Sequence, residues 1–491
     1  MKRMPESRAT PRVVGRIARR DAAPLIALAV VVGTIACVVP PARRAPELVV
    51  EVPAAWSVPA NAADDPIDAW WTTFDAPGLE RVIDEALAHN TDLVAAAARV
   101  ARAEAEARIA GAELKPSLGA GVSGSRQRQV FVGLPIPGDT VPSATYTTFG
   151  VSLDASWEVD LWGRIRASAR AALADAQAGE ADLHAARLSI AAQTAKAWFA
   201  AVEARQQIEL TERSAESFAR LAAQIRERYR VGTRPAIDLR LALSNAAAAE
   251  AQLRQRRRRL DATLRQLEVL LGRYPSARLL DEIPLDRPSD MPPPVPAGLP
   301  AELIGRRPDL VAAERRAVAA DQRLRAARAA LYPRLSLTGG GGTVSDQLSD
   351  LLDGDFRTWN LVGNLVQPLF EGGRLRAGVE RAAAAGDELL ASYAGAVLRA
   401  FAEVESALAA DTLLAEQQAS QAEAVEQLLA AESLAEDRYR RGIGDYLTVL
   451  ESQTRAFTSQ SALLALGRER LDNRIDLHLA LGGGFAEGNP R

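Results

Sequence analysis

Between Ser117 and Ser123 the chain alternates Leu118, Ala120 and Val122 with Ser117, Gly119, Gly121 and Ser123. A second alternation sets Phe149, Val151, Leu153, Ala155 and Trp157 against Gly150, Ser152, Asp154 and Ser156. A period of two sustained over roughly ten residues predicts strands. The intervening "VFVGLPIPGDTVPSA", rich in Pro and Gly, predicts a loop. A second strand pair is predicted at "RLSLTGGGG" and "WNLVGNLVQPLF", around a loop holding Asp346, Asp350, Asp353 and Asp355. The Gly run lacks the Lys-Ser/Thr ending of a phosphate-binding loop, so its expected place is in closely packed strands.

Elsewhere the pattern is helical. No proline interrupts Arg164 to Tyr229, and from Arg374 none occurs before Pro490. A helix of about 65 residues is ~98 Å long. Val397, Phe401, Val404 and Leu408 are spaced 4, 3 and 4, as in a coiled-coil seam. "VGTRP" and "RGIGDY" interrupt the long runs, after which the chain returns helically to "LLG" at Gly272 and "ALG" at Gly482. Shorter first helices are predicted from Leu79 to Leu114 and from Pro308 to Leu331, stopped by Pro116 and Pro333.

These elements recur. "DLWGRIRA" at Asp160 and "LFEGGRLRA" at Leu369 align at an offset of 210, as do "RYRVG" at Arg228 and "RYRRG" at Arg438. Upstream the offset is 217, for "DLVAA" at Asp92 and Asp309 and for "LKPSL" and "LYPRL". Each copy therefore reads as a first helix, a strand hairpin and a very long helical hairpin. The first copy carries seven extra residues between Leu118 and Gly163, expected in a longer loop after Leu118 than after Leu335. The fold class is α+β and mainly α. The segments are residues 1–36, 37–78, a first repeat at 79–282, a Pro-rich connector at 283–300, a second repeat at 301–484 and a tail at 485–491. The low aromatic content, 5%, and abundant Ala fit close packing of long helices.

Residues 1–36 read as an export signal: Arg12, Arg16, Arg19 and Arg20, then the apolar "PLIALAVVVGTIA". That run is short of the ~20 residues that span a bilayer as a helix. Cys37, the single cysteine, follows in "TIAC", which fits a bacterial lipobox with Thr34 in place of the usual Leu. Acylation of Cys37 is expected; a buried cysteine in an ordinary signal peptide is the alternative. Removing residues 1–36, which hold seven basic and two acidic side chains, moves the formal charge from −3 to −8. An acidic exported protein is a poor nucleic-acid binder. If the mature chain crosses a bilayer it must use a closed barrel. Four strands cannot close one, but three copies supply twelve; a soluble four-stranded sheet remains the alternative.

The chain resembles the TolC-like outer-membrane efflux factors, in the lipid-anchored branch related to OprM and NodT. The resemblance rests on "AC" at Cys37, "WWTTFDAPGLERVIDEALAHNTDLVAAAARV", "WEVDLWGRIR", "RRPDLVAAER", "QPLFEGGRLRA" and "EDRYRRGIGDYLTVLESQ". It implies a homotrimer in which a twelve-stranded outer-membrane barrel continues as a periplasmic α-helical barrel. It further implies a passive exit duct working with a periplasmic adaptor and an inner-membrane pump, of RND type. No cofactor is expected beyond the covalent lipid on Cys37, and no metal.

Resemblance also points to working residues. The tips expected to contact the adaptor are Val231, Gly232, Thr233, Arg441, Gly442 and Ile443. Tyr439, Leu447 and Glu451 match positions that constrict the resting pore; Leu447 and Glu451 are four apart, on one helix face. Thr454 occupies a usual Arg position, with Arg455 beside it, and an exposed Glu451 with no gating role is the alternative. His89, His184 and His478 are isolated, so no catalytic or metal constellation is visible. The run Arg256–Arg259 points all around its helix and reads as a solvated face. Trp157 and Trp162 bracket the strand-to-helix junction, either at a lipid–water interface or buried against a neighbouring helix. The rival functions are an exit channel for polypeptide secretion and a lipid-anchored periplasmic coiled-coil scaffold.

Overall fold

A computed structural model of the chain describes residues 50–57, 69–132, 142–286 and 291–483. Its elements run α1 (Pro77–His89), α2 (Thr91–Ala112), β1 (Ser117–Val130), β2 (Ser143–Val159), α3 (Arg164–Arg230) and α4 (Ala236–Leu270), then α5 (Pro300–Arg306), α6 (Pro308–Ala329), β3 (Arg334–Ser345), β4 (Arg357–Val366), α7 (Arg374–Arg440) and α8 (Tyr446–Ala480). Helices α3 and α7 each have 67 residues, and α4 and α8 each have 35. The two copies therefore build hairpins of equal length, each long arm about 100 Å.

The chain divides into two compact units that cut across the copies. One, spanning Ile109–Ala169 and Asp321–Asp387, contains the strands. They form a single antiparallel sheet in the order β1-β2-β3-β4, so β1 and β4 are both open edges. The Gly run lies in β3, where a Cβ on Gly342 would sit 2.0 Å from the Val151 carbonyl oxygen. The expected longer loop of the first copy is not what the extra residues build. The connection at 131–142 is within one residue of the length of its counterpart at 346–356, whereas β1 and β2 together outrun β3 and β4. The β1–β2 ladder runs on from Ser125 opposite Thr148 to Val130 opposite Ser143, so the extra residues lengthen the strands of the first copy.

The other unit, including Arg170–Ala320 and Glu388–Arg491, holds most of the long hairpins and, among the described residues, three cores. In the first core Trp70, Phe74, Leu79 and Ile83 pack with Trp198, Phe199, Leu267 and Ile475. In the second, Trp56, Val295 and Leu310 pack with Val397, Phe401, Val404 and Leu408. The 4-3-4 stripe of α7 is thus buried, partly against the extended connector. The single first helix expected over Leu79–Leu114 is broken at Asn90, whose backbone is extended (φ −63°, ψ 126°). Its side-chain Oδ1 accepts hydrogen bonds from the backbone N–H of Asp92 and Leu93, restarting the helix as an N-cap. Arg307 breaks the second copy at the corresponding place, since the residue before Pro308 avoids helical backbone.

Candidate functional site

The register assigns every strand residue to a face, because directly opposed residues point the same way. On one face Leu118, Ala120 and Val122 of β1 oppose Ala155, Leu153 and Val151 of β2. The same row continues across Gly339 and Gly341 of β3 to Leu361 and Trp359 of β4. This face is apolar and uncovered: Val122 is 81% exposed, Trp359 83% and Leu361 76%. On the opposite face Ser117, Gly119 and Gly121 align with Ser156, Asp154 and Ser152, then with Thr338, Gly340 and Gly342, the last two facing Asn360 and Thr358 of β4. Ser152 Oγ donates to Asp154 Oδ2 at 2.8 Å on that polar side. Phe149 to Trp157 gives an apolar period nine residues long, about what a tilted membrane strand needs. No described helix is long and apolar enough to cross a membrane.

The sheet ends are anchored by tryptophans. Trp157 Nε1 donates to the Leu114 carbonyl at 3.1 Å. Trp162 Nε1 donates to the Pro333 carbonyl at 2.8 Å, and its ring stacks on Tyr332 of the second copy. Trp162 remains 47% exposed and Trp157 is half-buried. Asp160 starts α3 by accepting from Ile165 N–H and Arg166 N–H and from the Arg166 guanidinium. Burial works against its charge, but these bonds outweigh it and hold the carboxyl below the usual aspartate value.

Both tips end their long helices alike. Gly232 N–H donates to Tyr229 O and Thr233 N–H to Arg228 O; Gly442 N–H donates to Tyr439 O and Ile443 N–H to Arg438 O. This paired closure needs left-handed backbone at the glycine, found at φ 78° and 80°. Val231, Gly232 and Thr233 are exposed, as are Arg441, Gly442 and Ile443, with Arg441 paired to Asp437 at 2.7 Å. Beneath the tips Leu221, Ile225, Tyr439, Tyr446 and Val449 form a small core.

The three gate candidates separate. Tyr439 is 1% exposed, its ring held between the guanidinium groups of Arg228 and Arg234 at 5.0 and 4.9 Å. Leu447 is 58% exposed, and Glu451 is exposed with an ion pair to Arg455 at 2.6 Å. Thr454 Oγ1 bonds back to Leu450 O. Cys37 lies outside the described residues. His478 is buried against Trp70. Arg256 reaches Ser461 and Arg257 reaches Glu212, so that run is partly engaged.

Sequence reasoning missed Glu432. Burial, reinforced by Glu436, pushes its carboxyl up to about 7, and Glu436 accepts from Gln453 Nε2 at 2.8 Å. The available signal was two glutamates four apart on one face of α7.

Comparison with known proteins adds the family. The model of the outer membrane efflux protein family matches residues 82–273 and again 299–483. The outer membrane protein OprJ of Pseudomonas aeruginosa is 35% identical over 477 residues, 96% of this chain and 98% of that protein. The pyoverdine export outer membrane protein OpmQ of Pseudomonas aeruginosa is 34% identical over 436 residues, 88% of this chain and 91% of its own. Among solved structures, the CmeC outer membrane channel of Campylobacter jejuni superimposes with a TM-score of 0.84 at 26% identity, covering 92% of this chain and 96% of that one. The open state of the Neisseria gonorrhoeae MtrE outer membrane channel gives 0.76 at 29% identity, covering 91% and 98%.

Proposed function

The chain belongs to the outer membrane efflux protein family, and on that premise we propose that it is the outer-membrane exit duct of a tripartite efflux system, passively conducting small molecules. The observation that carries this is the uncovered apolar face of a sheet with two open edges. In water such a sheet exposes both a large apolar patch and unpaired strand edges. In a bilayer the face meets lipid, and the edges are satisfied by neighbours in a closed barrel. Four strands are too few for that closure, and three chains give twelve. The polar face then lines the conduit.

A lipid-anchored scaffold has no use for such a sheet, which favours the channel. The relatives named for pyoverdine export, and others named for solvent and toluene efflux, support small molecules over polypeptides. In this reading the duct catalyses nothing and holds no cofactor. An RND-type pump supplies the cargo, and an adaptor docks on the exposed tips at Val231–Thr233 and Arg441–Ile443. Acylated Cys37 anchors the mature N-terminus in outer-membrane lipid. Leu447 and Glu451 line the periplasmic aperture; Tyr439 supports them from the core of the tip.

Planar-bilayer recording of the purified protein tests the duct: discrete conductance steps are expected, and a silent, correctly assembled trimer refutes it. Alanine at Leu447 and Glu451 should raise the conductance, and an unchanged value removes them from the aperture. Charge reversal at Arg441 together with bulky residues at Gly232 and Gly442 should abolish adaptor cross-linking. A mass matching unacylated Cys37 in the mature protein would dismiss the anchor.

A further inference from the structure

The two long hairpins agree in length but not in charge. Helix α4 carries seven Arg against four carboxylates, and the last 30 residues of α7, 411–440, carry seven carboxylates against two Arg. On α4 the exposed stripe through Arg240, Ala247, Ala251, Arg254, Arg258 and Arg265 advances by sevens, fours and threes, which is one helix face. The opposite side of α4, with Ala242, Leu253 and Leu264, is already buried. On α7 the exposed stripe through Leu413, Glu416, Ser420, Glu423 and Gln427 is likewise one face, turned away from buried Val425.

The repeat does not account for this. At the offset of 210, Arg240 and Arg254 correspond to Leu450 and Leu464 of α8, while Glu416 and Glu423 correspond to Gln206 and Arg213 of α3. The charges sit where the copies diverge. Their levels match. Arg254 is 18 residues from the turn end of α4 and Glu423 is 17 from that of α7; Arg258 is 22 away and Glu416 is 24. At 1.5 Å per residue these levels agree within about 3 Å. The turns themselves stand at one height, because Arg228 and Arg234 at the first turn clasp Tyr439 at the second.

We propose that the Arg254–Arg258 face of α4 docks on the Glu416–Glu423 face of α7 in a second copy of this chain, so that charge fixes the order of hairpins around the ring. This rests on the trimeric reading above. Repeated around a threefold axis, a head-to-tail contact of this kind closes. Hairpins of equal length and similar shape could otherwise pair like with like. The α4 stripe stays net positive even with Arg254 and Arg265 paired to Glu250 and Asp261 of the same helix, so two α4 stripes repel, as do two α7 stripes, and the mixed seam is favoured. Exposed ion pairs contribute little affinity singly; their effect is on choice of partner and on register.

The test is thiol cross-linking of the full-length chain in membranes, with Arg254→Cys and Glu423→Cys alone and together. The double variant should give linked dimers and trimers, and neither single variant should. A trimer that forms without the 254–423 link, or single variants that link to themselves, overturns the seam and leaves the trimer standing. Absence of any trimer in the unmodified protein overturns the ring reading and the seam with it. In parallel, Arg254→Glu with Arg258→Glu should lower the trimer fraction about tenfold at physiological salt, where exposed charges act over ~8 Å. Adding Glu416→Arg and Glu423→Arg should restore it, and failure of that swap to restore trimer counts against the seam.

Discussion

Asn90 and Arg307 perform one task with different chemistry. Each interrupts the first helix of its copy and donates to the last carbonyl of a returning helix: Asn90 Nδ2 to Leu270 O at 2.9 Å, Arg307 Nη1 to Ala480 O at 3.1 Å. Asn also has an acceptor, so its Oδ1 caps the next helix unaided. Arg has none, and the second copy needs two carboxylates. Asp309 pairs with the guanidinium at 2.8 Å and caps Leu310 N–H, while Glu403 accepts at 2.6 Å. A neutral residue holds one break, and a charged trio holds the other. The backbone geometry is what the repeat preserves; the side chains that satisfy it are free to diverge.

The largest contrast lies in the glycines that press on these breaks. A Cβ on Gly272 would come within 2.4 Å of His89 O, and one on Gly482 within 3.0 Å of Arg306 O; both backbones are left-handed. Alanine at either position costs roughly 1–2 kcal/mol for the dihedral. Gly272→Ala adds a backbone collision that overpacking data put at about 1–3 kcal/mol more. Chemical denaturation should therefore show about 3–4 kcal/mol lost for Gly272→Ala and about half of that for Gly482→Ala. Equal losses would mean that the first break can slide away, as the second can.

Acid should act on the second copy. His478 stands where the first copy has Glu268, whose carboxylate accepts three backbone N–H groups from Ala277 to Leu279. His478 is 5% exposed, and burial, with Arg474 nearby, lowers its pKa to about 4. The unfolded chain takes up that proton near the ordinary value of 6.5, and the folded chain only near 4. Stability is then lost as pH falls between those values, by up to about 3 kcal/mol. His478→Gln should flatten the slope in a pH series of unfolding curves. An unchanged slope would place the acid lability elsewhere. At Asp309 burial opposes the charge, but the Arg307 guanidinium prevails and keeps the carboxyl below its usual value. Its contribution is present at neutral pH and disappears only as pH falls below the ordinary aspartate range, so the two acid steps separate.

The hairpins were legible in the sequence because proline-free length and an offset of 210 survive any choice of side chain. The strands were legible because an apolar face and a polar face impose a period of two; where the outer ends of β1 and β2 turn polar, that signal fails, and the extra residues of the first copy were expected in a loop. Tyr439 was placed by resemblance beside Leu447 and Glu451, yet its ring is buried between Arg228 and Arg234. Those arginines lie over 200 residues upstream, and no local pattern reports such a pairing. The break at Asn90 escaped notice because Asn carries no obligation like that of the residue before Pro308. Glu432 looked like any solvated glutamate, since nothing in its neighbours along the chain reports its burial.

Removing each break's side chain sharpens the contrast further. Arg307→Met strands Asp309 and Glu403 near one another and leaves Ala480 O without a donor. Because both carboxylates are about half exposed, water recovers part of the loss, and about 2 kcal/mol is expected. Adding Asp309→Asn to that variant should recover part of it, since the stranded charge is then gone. No recovery would assign the whole effect to the lost bond at Ala480.

Asn90→Ala is the mildest of the set, with an expected loss of about 1 kcal/mol, the usual scale for an N-cap side chain. Its two functions can be parted by Asn90→Asp, which keeps the oxygen that caps Asp92 and Leu93 but loses the donor to Leu270 O. If capping dominates, Asn90→Asp should be nearly as stable as the unmodified chain at neutral pH and should approach Asn90→Ala as acid protonates the new carboxyl. If the tie to Leu270 dominates, Asn90→Asp should be the worse of the two at neutral pH, because a carboxylate then faces a carbonyl oxygen. The second outcome would make the first break, like the second, chiefly a clamp on a helix end, and the difference between the copies would reduce to how each donor is held in place.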